Sequence, residues 1–271
     1  MRYDLHMHST ASDGAFSPTQ LVEMAVKVGV NGIALTDHDT VEGLDETRQL
    51  AEAEGLEFIN GIELSIQEGD QDVHMLGYFI QTVPELREIL SEISEMRRQR
   101  AESMVAKLEA IGKPIDMAAV LRFAGDGEIG RPHVAAAMVE AGHVGSNQAA
   151  FDLYIGNDGP AYEPKSLMDA ERGMNLLWQF GAVPVMAHPS LVDYKKVLPR
   201  FLDLGLAGLE VDHPSQSLWQ RAELRALAGE LGLVATGGSD FHAPGHTAKI
   251  LGSCGVSAET LDALKARRPR S

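Results

Sequence analysis

The sequence predicts an α/β protein in which a parallel sheet or barrel is interrupted by a helical insertion. Short apolar runs alternate with segments of helical periodicity over most of the chain, which is typical of strands joined by crossover helices. One long region, from residue 84 to residue 165, has helical patterns and no convincing strand. Histidines and acids recur where the apolar runs end. Together these patterns predict a barrel with polar side chains on one rim.

Seven apolar runs are the candidate strands of this sheet. Short continuous apolar runs are expected of parallel strands that are covered on both faces. The runs are RYDLHMH from Arg2, GIALTDHD from Gly32, LEFINGIELS from Leu56, DVHMLGYFI from Asp72, AVPVMAH from Ala182, LAGLEVDH from Leu206 and LGLVATGGSD from Leu231.

Helices are predicted between most of these runs. The segments SPTQLVEMAVKVG and SLWQRAELRALAGELG begin with Ser17 and Ser217, and each ends near a glycine. Serine is a favoured N-cap and glycine a favoured helix stop, and Pro18 suits the first turn. The alternation of strand and helix is therefore supported by local start and stop signals.

The insertion divides the chain into two expected domains. Residues 1–83 and 166–271 are expected to form the barrel, and residues 84–165 a helical insertion domain that covers the active site. Further short helices are predicted in DMAAVLRFA, RPHVAAAMVEAG and SNQAAFDLYIG. A long amphipathic helix is predicted from Pro84, with an apolar face formed by Leu86, Leu90, Ile93, Met104, Leu108 and Ile111.

Composition limits the possible partners and compartment. The chain has 271 residues, and its 44% hydrophobic and 23% charged residues are typical of a globular protein. A formal charge of −16 argues against binding to long duplex nucleic acid, which needs a basic surface, but allows small anionic substrates. The single cysteine, Cys254, and the absence of a signal peptide or membrane-length apolar segment predict a cytoplasmic protein without a membrane partner.

The residues at the strand ends are candidate metal ligands. His6 and His8 are two residues apart, so in an extended strand both imidazoles point to the same face. Such a pair alone is also typical of an exposed strand, but its repetition at successive strand ends favours metal binding. His74 is the exception because it lies early or midway in its predicted strand. The candidates are His6, His8, Asp13, His38, Glu63, His74, His188, Asp240 and His242.

Imidazoles and carboxylates without cysteine favour zinc, manganese, iron or related ions, and these ligands outnumber what one ion can bind. Several ions are therefore expected. Two further histidines, His143 and His246, are expected to have only structural roles.

Five motifs resemble the successive signatures of the PHP family, named for polymerase and histidinol phosphatase. They are HMHSTASDG, ALTDHD, GIE, AHP and SDFH, and they cover both ends of the chain. The resemblance implies a trinuclear-metal phosphoesterase on a distorted (β/α)7 barrel. GRPHVA and YEPK are similar to the TrpH-like and YciV-like bacterial branch, whose members are nucleoside 3′,5′-bisphosphate phosphatases and 5′-to-3′ exonucleases on short RNA.

The resemblance also implies a ligand set for each of three divalent ions. The first ion would be held by His6, His8, Glu63 and Asp240, with Glu63 bridging to the second. The second would bind His74 and His188, and the third Asp13, His38 and His242. Mn²⁺ is the expected ion, with Zn²⁺, Fe²⁺ and Mg²⁺ as alternatives, and the hard oxygen of Asp13 favours Mn²⁺ at the third position.

This centre is expected to hydrolyse the 3′-phosphoester of nucleoside 3′,5′-bisphosphates and of short 5′-phosphorylated RNA. Divalent ions neutralise phosphoryl oxygens and activate a bound water, and a metal-bound hydroxide is the expected nucleophile. Glu63 and His213 are the catalytic candidates, with His213 donating a proton or contacting substrate. Arg131, just before a predicted helix, is the candidate phosphate ligand, with His133 and Lys165 as companions.

Two other activities are compatible with a metal-loaded barrel. A histidinol-phosphate-type phosphatase is the runner-up, and the helical insertion with GRPHVA argues against it by resemblance. A C–N bond amidohydrolase is less favoured because Glu63 stands where a bridging carbamylated lysine is often expected. A non-enzymatic metal-binding module would be expected to lack some of the ligands, whereas this chain has all of them.

Overall fold

A computed structural model describes residues 2–125, 127–164, 168–243 and 250–269. The chain forms two compact units, one of Met1–Arg87 with Leu167–Ser271 and the other of Glu88–Ser166. The first unit contains the sheet and the second is helical. Within the described ranges, no helix has the length and apolarity that are needed to cross a bilayer.

The sheet of the first unit follows the seven predicted runs, with one additional short strand. Where the runs were longer than the strands, their ends leave the sheet and carry side chains of the site described below. The strands are β1 Tyr3–Asp4, β2 Gly32–Leu35, β3 Glu57–Glu68, β4 Gln71–Tyr78, β5 Met168–Asp169, β6 Val183–Met186, β7 Gly208–Asp212 and β8 Val234–Gly237.

The strand order is β1-β2-β3-β4-β6-β7-β8, with β5 paired to β3. The two ends of this path meet where Met7 bridges Phe241 in parallel, and the His8 N–H donates to the Phe241 carbonyl at 2.9 Å. The α/β barrel that the sequence predicts is thereby confirmed. It is not wholly parallel, because β4 runs antiparallel to both β3 and β6.

The reversal of β4 explains why His74 did not fit the strand-end pattern. In a parallel sheet the carboxyl ends of all strands lie at one edge. Because β4 runs the other way, its early residues lie beside the late residues of β3, and His74 is paired with Ser65. An early position in β4 is therefore equivalent to a late position in its neighbours.

Helices follow the strands as the local signals predict. Ser17 and Ser217 each cap a helix through a capping box with Gln20 and Gln220, respectively. The helices are α1 Pro18–Val28, α2 Leu44–Ala53, α3 Pro84–Ala110, α4 Met117–Ala124, α5 Arg131–Glu140, α6 Asn147–Ala150, α7 Ala170–Gln179, α8 Tyr194–Asp203, α9 Leu218–Glu230 and α10 Ala258–Lys265; a π-helical turn, Phe151–Ile155, continues α6, and Pro189–Leu191 forms a 3₁₀ turn.

Each unit has its own apolar core. In the barrel, Leu5, Leu76 and Tyr78 are fully buried in one cluster. In the helical unit, Met104 and Leu108 of α3 pack with α4 and α5 residues. The predicted apolar face of α3 is correct except at Ile111, which is 41% exposed. The helix ends at Ala110, and Gly112 follows with a φ of 75°, a left-handed conformation that favours glycine after a helix.

The first turn of α3 belongs to the barrel unit. The Arg87 guanidinium donates to Asp45 Oδ2 at 3.0 Å and also pairs with Glu42. The compact helical unit accordingly begins at Glu88 although its first helix begins at Pro84. The prediction that the insertion covers the active site stays a prediction.

Candidate metal centre

The two histidines near the N-terminus share a buried face, as their spacing predicts. His6 and His8 follow β1 in extended chain, and their rings are fully buried. Their Nε2 atoms lie 3.1 Å apart. Two ring nitrogens at this separation are arranged to share a ligand.

Glu63 of β3 lies at the centre of the site. Its carboxylate is 1% exposed, and five imidazole nitrogens surround it. A single carboxylate with partners on both oxygens has the arrangement of a bridging ligand. Its Oε2 is 3.2 Å from His6 Nε2, 3.1 Å from His8 Nε2 and 3.3 Å from His38 Nδ1, and its Oε1 is 3.0 Å from both His74 Nδ1 and His188 Nε2.

A second group of ligand atoms surrounds Asp13. Its Oδ1 lies 3.3 Å from His242 Nε2 and 3.7 Å from His8 Nδ1. The His8 and His242 rings stack with centroids 4.0 Å apart. Together with His38, these residues form a candidate metal-binding set. His8 contributes one nitrogen to this set and faces Glu63 with the other.

Asp240 connects the two groups. Its Oδ1 is 3.4 Å from His8 Nε2 and 3.3 Å from His242 Nδ1. Its Oδ2 is 3.2 Å from His213 Nε2. His213 is thus buried beside the predicted ligands and forms a candidate set with His6 and Asp240.

The structure therefore brings together every predicted ligand in one region of the barrel unit. The geometric sets differ from the predicted grouping, beginning with His8, which joins the set of Asp13, His38 and His242. His74 is grouped with His38 and Glu63, and His213 enters the set of His6 and Asp240. His188 reaches Glu63 at 3.0 Å but is in none of the compact sets.

The charges in the site fit divalent cations. Burial alone raises the pKa of the Glu63 carboxyl, but the surrounding His38, His6 and His74 hold it well below the usual range. Burial lowers the pKa of His8, but hydrogen bonds to Asp240 and Glu63 outweigh this effect and raise it to about 9. Burial also lowers the pKa of His38 to well below its usual value. Ionised carboxylates beside imidazoles, which bind metal after losing any extra proton, are the donor set of Zn²⁺, Mn²⁺ and Fe²⁺.

Unsatisfied buried atoms support the same interpretation. A buried polar atom without a hydrogen bond is costly unless another group binds it. In the described ranges, His8 Nδ1, Asp13 Oδ1 and His38 Nδ1 are buried and have no hydrogen-bond partner. All three belong to one candidate set, and the site therefore fits bound divalent metal ions.

The loop that carries His8 and Asp13 is held by a buried carboxylate that the sequence analysis missed. Asp37 Oδ1 accepts from the Ser9 N–H at 2.7 Å and from the Ser12 hydroxyl at 2.6 Å, and its Oδ2 accepts from the Ser9 hydroxyl at 2.7 Å. A Cβ at Gly14 would lie 2.2 Å from the His8 carbonyl oxygen, so the loop requires glycine there. The clue in the sequence is an ionisable residue inside the buried run ALTDHD.

Some ligands lie on unusual backbone. Asp39, His188 and Asp240 have positive φ angles of 54°, 28° and 50°, and with Phe79 they are the non-glycine residues of this kind in the described ranges. Such left-handed conformations cost about 1–3 kcal/mol each and cluster at functional sites. Two of the three residues near the centre are predicted ligands.

Two of the predicted substrate residues, Arg131 and His133, lie in the helical unit. Arg131 begins α5, donates from Nη1 to Asn157 Oδ1 at 2.9 Å and lies over the Phe151 ring at 5.5 Å. His133 is 8% exposed and its Nδ1 accepts from the Gly130 N–H at 3.1 Å. Lys165 lies outside the described residues. Their roles in substrate binding stay predictions.

The two histidines that were predicted to be structural have separate outcomes. His143 Nε2 donates to the Pro114 carbonyl at 2.7 Å within the helical unit, which is a structural role. His246 lies outside the described residues.

Comparison with known proteins decides the family. A family model of the PHP domain matches residues 4–149. The chain belongs to the PHP domain family. It is 36% identical over 249 residues to a 5′-3′ exoribonuclease of Haemophilus influenzae, covering 90% of each chain. It is 35% identical over 256 residues to a 3′,5′-nucleoside bisphosphate phosphatase of Chromobacterium violaceum, covering 92% of this chain and 90% of the relative.

Solved structures agree with this family and fold. A Bifidobacterium adolescentis protein assigned as a metal-dependent phosphoesterase matches with a TM-score of 0.89 and 31% identity, over 98% of this chain and 96% of its own. A C. violaceum protein described as an amidohydrolase, with bound sulfate and no metal, matches with a TM-score of 0.89 and 32% identity, over 100% of this chain and 98% of its own. The fold that this chain shares with both solved structures therefore extends well beyond the residues that the family model matches.

Proposed function

We propose that this PHP protein is a metal-dependent phosphoesterase that removes the 3′-phosphate of nucleoside 3′,5′-bisphosphates. The same chemistry would release nucleotides from short 5′-phosphorylated RNA. The observation that carries the proposal is the Glu63 carboxylate with five imidazole nitrogens at 3.0–3.3 Å. Relatives named for both activities support the substrate class.

Three divalent ions, with Mn²⁺ preferred, are the proposed cofactors. One would bind His6, His8, Glu63 and Asp240, a second Glu63, His74 and His188, and a third Asp13, His38 and His242. The contacts of Glu63 on both oxygens support its bridging role, and the Asp13 cluster supports a separate third site. When bound, such ions neutralise phosphoryl oxygens and lower the pKa of a coordinated water.

His213 is the proposed proton donor to the leaving oxygen. Its Nδ1 accepts from the Ser215 N–H at 3.1 Å and lies 2.7 Å from the Ser215 hydroxyl, which favours the tautomer with the proton on Nε2. That nitrogen lies 3.2 Å from Asp240 Oδ2. The contact with Ser215 thus directs the Nε2–H of His213 towards Asp240. In this tautomer Nε2 has no lone pair for a metal ion, so metal binding through it is disfavoured.

Arg131 is the proposed ligand of the 5′-phosphate, with His133 and Lys165 as companions. The hydrogen bond from Arg131 to Asn157 and its position over Phe151 hold the guanidinium plane, which favours bidentate binding of a phosphate. The remaining N–H groups are available for an anionic oxygen, since the guanidinium has five donors.

The two alternative reactions make different demands on the site. An amidohydrolase of this type is expected to bridge its ions with a modified lysine, whereas Glu63 occupies the central position here. A histidinol-phosphate phosphatase would use the same metal ligands. Substrate choice must therefore be tested directly.

The test is phosphate release by the Mn²⁺-loaded protein from adenosine 3′,5′-bisphosphate, with histidinol phosphate and a 5′-phosphorylated dinucleotide assayed in parallel. AMP and phosphate from the first substrate are expected. Turnover of histidinol phosphate alone would replace the proposal by the runner-up. Inactivity on all three, in protein with measured metal content, would refute a phosphoesterase of this class.

A further inference from the structure

Glu210 is a fully buried carboxylate that the sequence analysis passed over. It lies in the middle of β7, in the otherwise apolar run LAGLEVD, and its side chain is 0% exposed. Acids are almost never fully buried unless they are paired. Both of its oxygens have specific partners, and each partner belongs to a proposed metal ligand.

One oxygen of Glu210 contacts the ring nitrogen of His6 that does not face Glu63. Glu210 Oε1 lies 2.9 Å from His6 Nδ1, while His6 Nε2 faces Glu63 Oε2 at 3.2 Å. A neutral imidazole has one N–H and one lone pair. An acceptor at Nδ1 keeps the proton there, and the Nε2 lone pair is left for a metal ion.

The other oxygen holds the backbone of a second ligand. Glu210 Oε2 accepts from the His188 N–H at 2.7 Å. His188 has a φ of 28°, which is unfavourable for a non-glycine residue, and its Nε2 reaches Glu63 Oε1 at 3.0 Å. This hydrogen bond stabilises the strained backbone that directs the imidazole at Glu63.

We propose that Glu210 is a positioning residue that fixes the tautomer of His6 and the backbone of His188 together. It connects two ligands that follow β1 and β6 in the chain and contact opposite oxygens of Glu63. The proposal rests on the proposed metal centre, but not on which substrate is cleaved.

Glutamine at position 210 would move the ring proton of His6 from Nδ1 to Nε2. Both present partners are donors, but an amide has one acceptor oxygen and one donor NH₂. The backbone N–H of His188 can only donate a hydrogen bond. The amide oxygen of the glutamine must therefore face it. The NH₂ then donates to His6 Nδ1 and drives the ring proton to Nε2, where it blocks metal binding.

Aspartate provides the contrasting variant. It keeps two acceptor oxygens and the charge, although it is one methylene shorter. A role in packing alone predicts that the isosteric Glu210→Gln is milder than Glu210→Asp. The positioning role predicts the opposite order for metal affinity, and retention of the Nδ1 proton only in Glu210→Asp.

The test uses the full chain loaded with Zn²⁺, which is diamagnetic, and labelled with ¹⁵N-histidine. Long-range ¹H–¹⁵N spectra report which ring nitrogen of His6 carries the proton, with His6→Gln as the assignment control. Zn²⁺ affinity is measured by competition with a chromophoric chelator. Glu57→Gln, the same substitution on β3 where Glu57 pairs with Lys265, is the matched control.

We expect Nδ1–H in the unsubstituted protein and in Glu210→Asp, and Nε2–H in Glu210→Gln. Zn²⁺ affinity should fall about 10- to 100-fold in Glu210→Gln, the usual effect of losing such a hydrogen-bond partner. An unchanged tautomer and affinity in folded Glu210→Gln would overturn the proposal. Neither readout uses a substrate. The role of Glu210 can therefore be tested even if the proposed phosphatase activity is not found.

Discussion

Replacing Glu63 by glutamine tests the central contact of the site. The amide keeps the size of the side chain but converts one oxygen into an NH₂ donor. In the less disruptive orientation, the amide oxygen takes the place of Oε2, which contacts three imidazole nitrogens in the unsubstituted protein. The NH₂ then takes the place of Oε1 and faces His74 and His188, each 3.0 Å from that oxygen in the unsubstituted protein. Two contacts to a charged group are therefore lost.

The size of the effect follows from these two contacts. Hydrogen bonds to charged groups contribute about 1.5–3 kcal/mol each, so their loss corresponds to about 3–6 kcal/mol. At about 1.4 kcal/mol per factor of ten, kcat/KM should fall by about 10²- to 10⁴-fold. A change below tenfold would be incompatible with a bridging role.

The assay combines initial rates of phosphate release with the metal content of the same sample. Glu57→Gln, on the same strand β3, should retain the activity and metal content of the unsubstituted protein. Glu63→Gln with wild-type kcat/KM and unchanged metal content would refute the assignment of Glu63 as a bridging ligand. Thermal unfolding of both variants shows whether each is folded.

Three further predictions concern Arg131, Asp37 and His8. Arg131→Ala should raise KM about 10- to 100-fold for 5′-phosphorylated substrates, the cost of one charge-assisted contact, while Arg122→Ala in the same unit should not; equal KM values would contradict phosphate binding. Asp37→Ala removes three hydrogen bonds and should lower the free energy of unfolding by about 3–5 kcal/mol in urea titrations, with a smaller loss in Asp37→Asn. Because the pKa of His8 is raised to about 9 in the metal-free protein, its ring is protonated at pH 7, and metal binding must release that proton. Zn²⁺ affinity should therefore weaken as pH falls below 9, with proton release measurable by an indicator dye; a pH-independent affinity would contradict this.

The sequence predicted those features that have a short-range signal. The spacing of His6 and His8 gives a common face in any extended chain, and it places their Nε2 atoms 3.1 Å apart. Strand-helix alternation predicted the barrel. The reversed direction of β4 could not be predicted, because an apolar run carries no sign of its direction, and His74 therefore looked misplaced.

The supporting carboxylates were missed for a different reason. Asp37 and Glu210 are separated by many residues from most of the groups they bind, so local spacing cannot assign their partners. Their only local signal is an acid within an apolar run. Ile111 illustrates the reverse error, because its position fits the helical period but the helix has ended at Ala110.

The left-handed backbone at His188 and Asp240 has a consequence for variation at these positions. Glycine at either position would relieve the unfavourable φ, and asparagine would tolerate it better than most residues. Mutants selected only for thermal stability in chelator would therefore be expected to replace these two side chains early. Such a chain would fold better and lose its ligands, so a screen for robust variants of this protein must include bound metal from the first round.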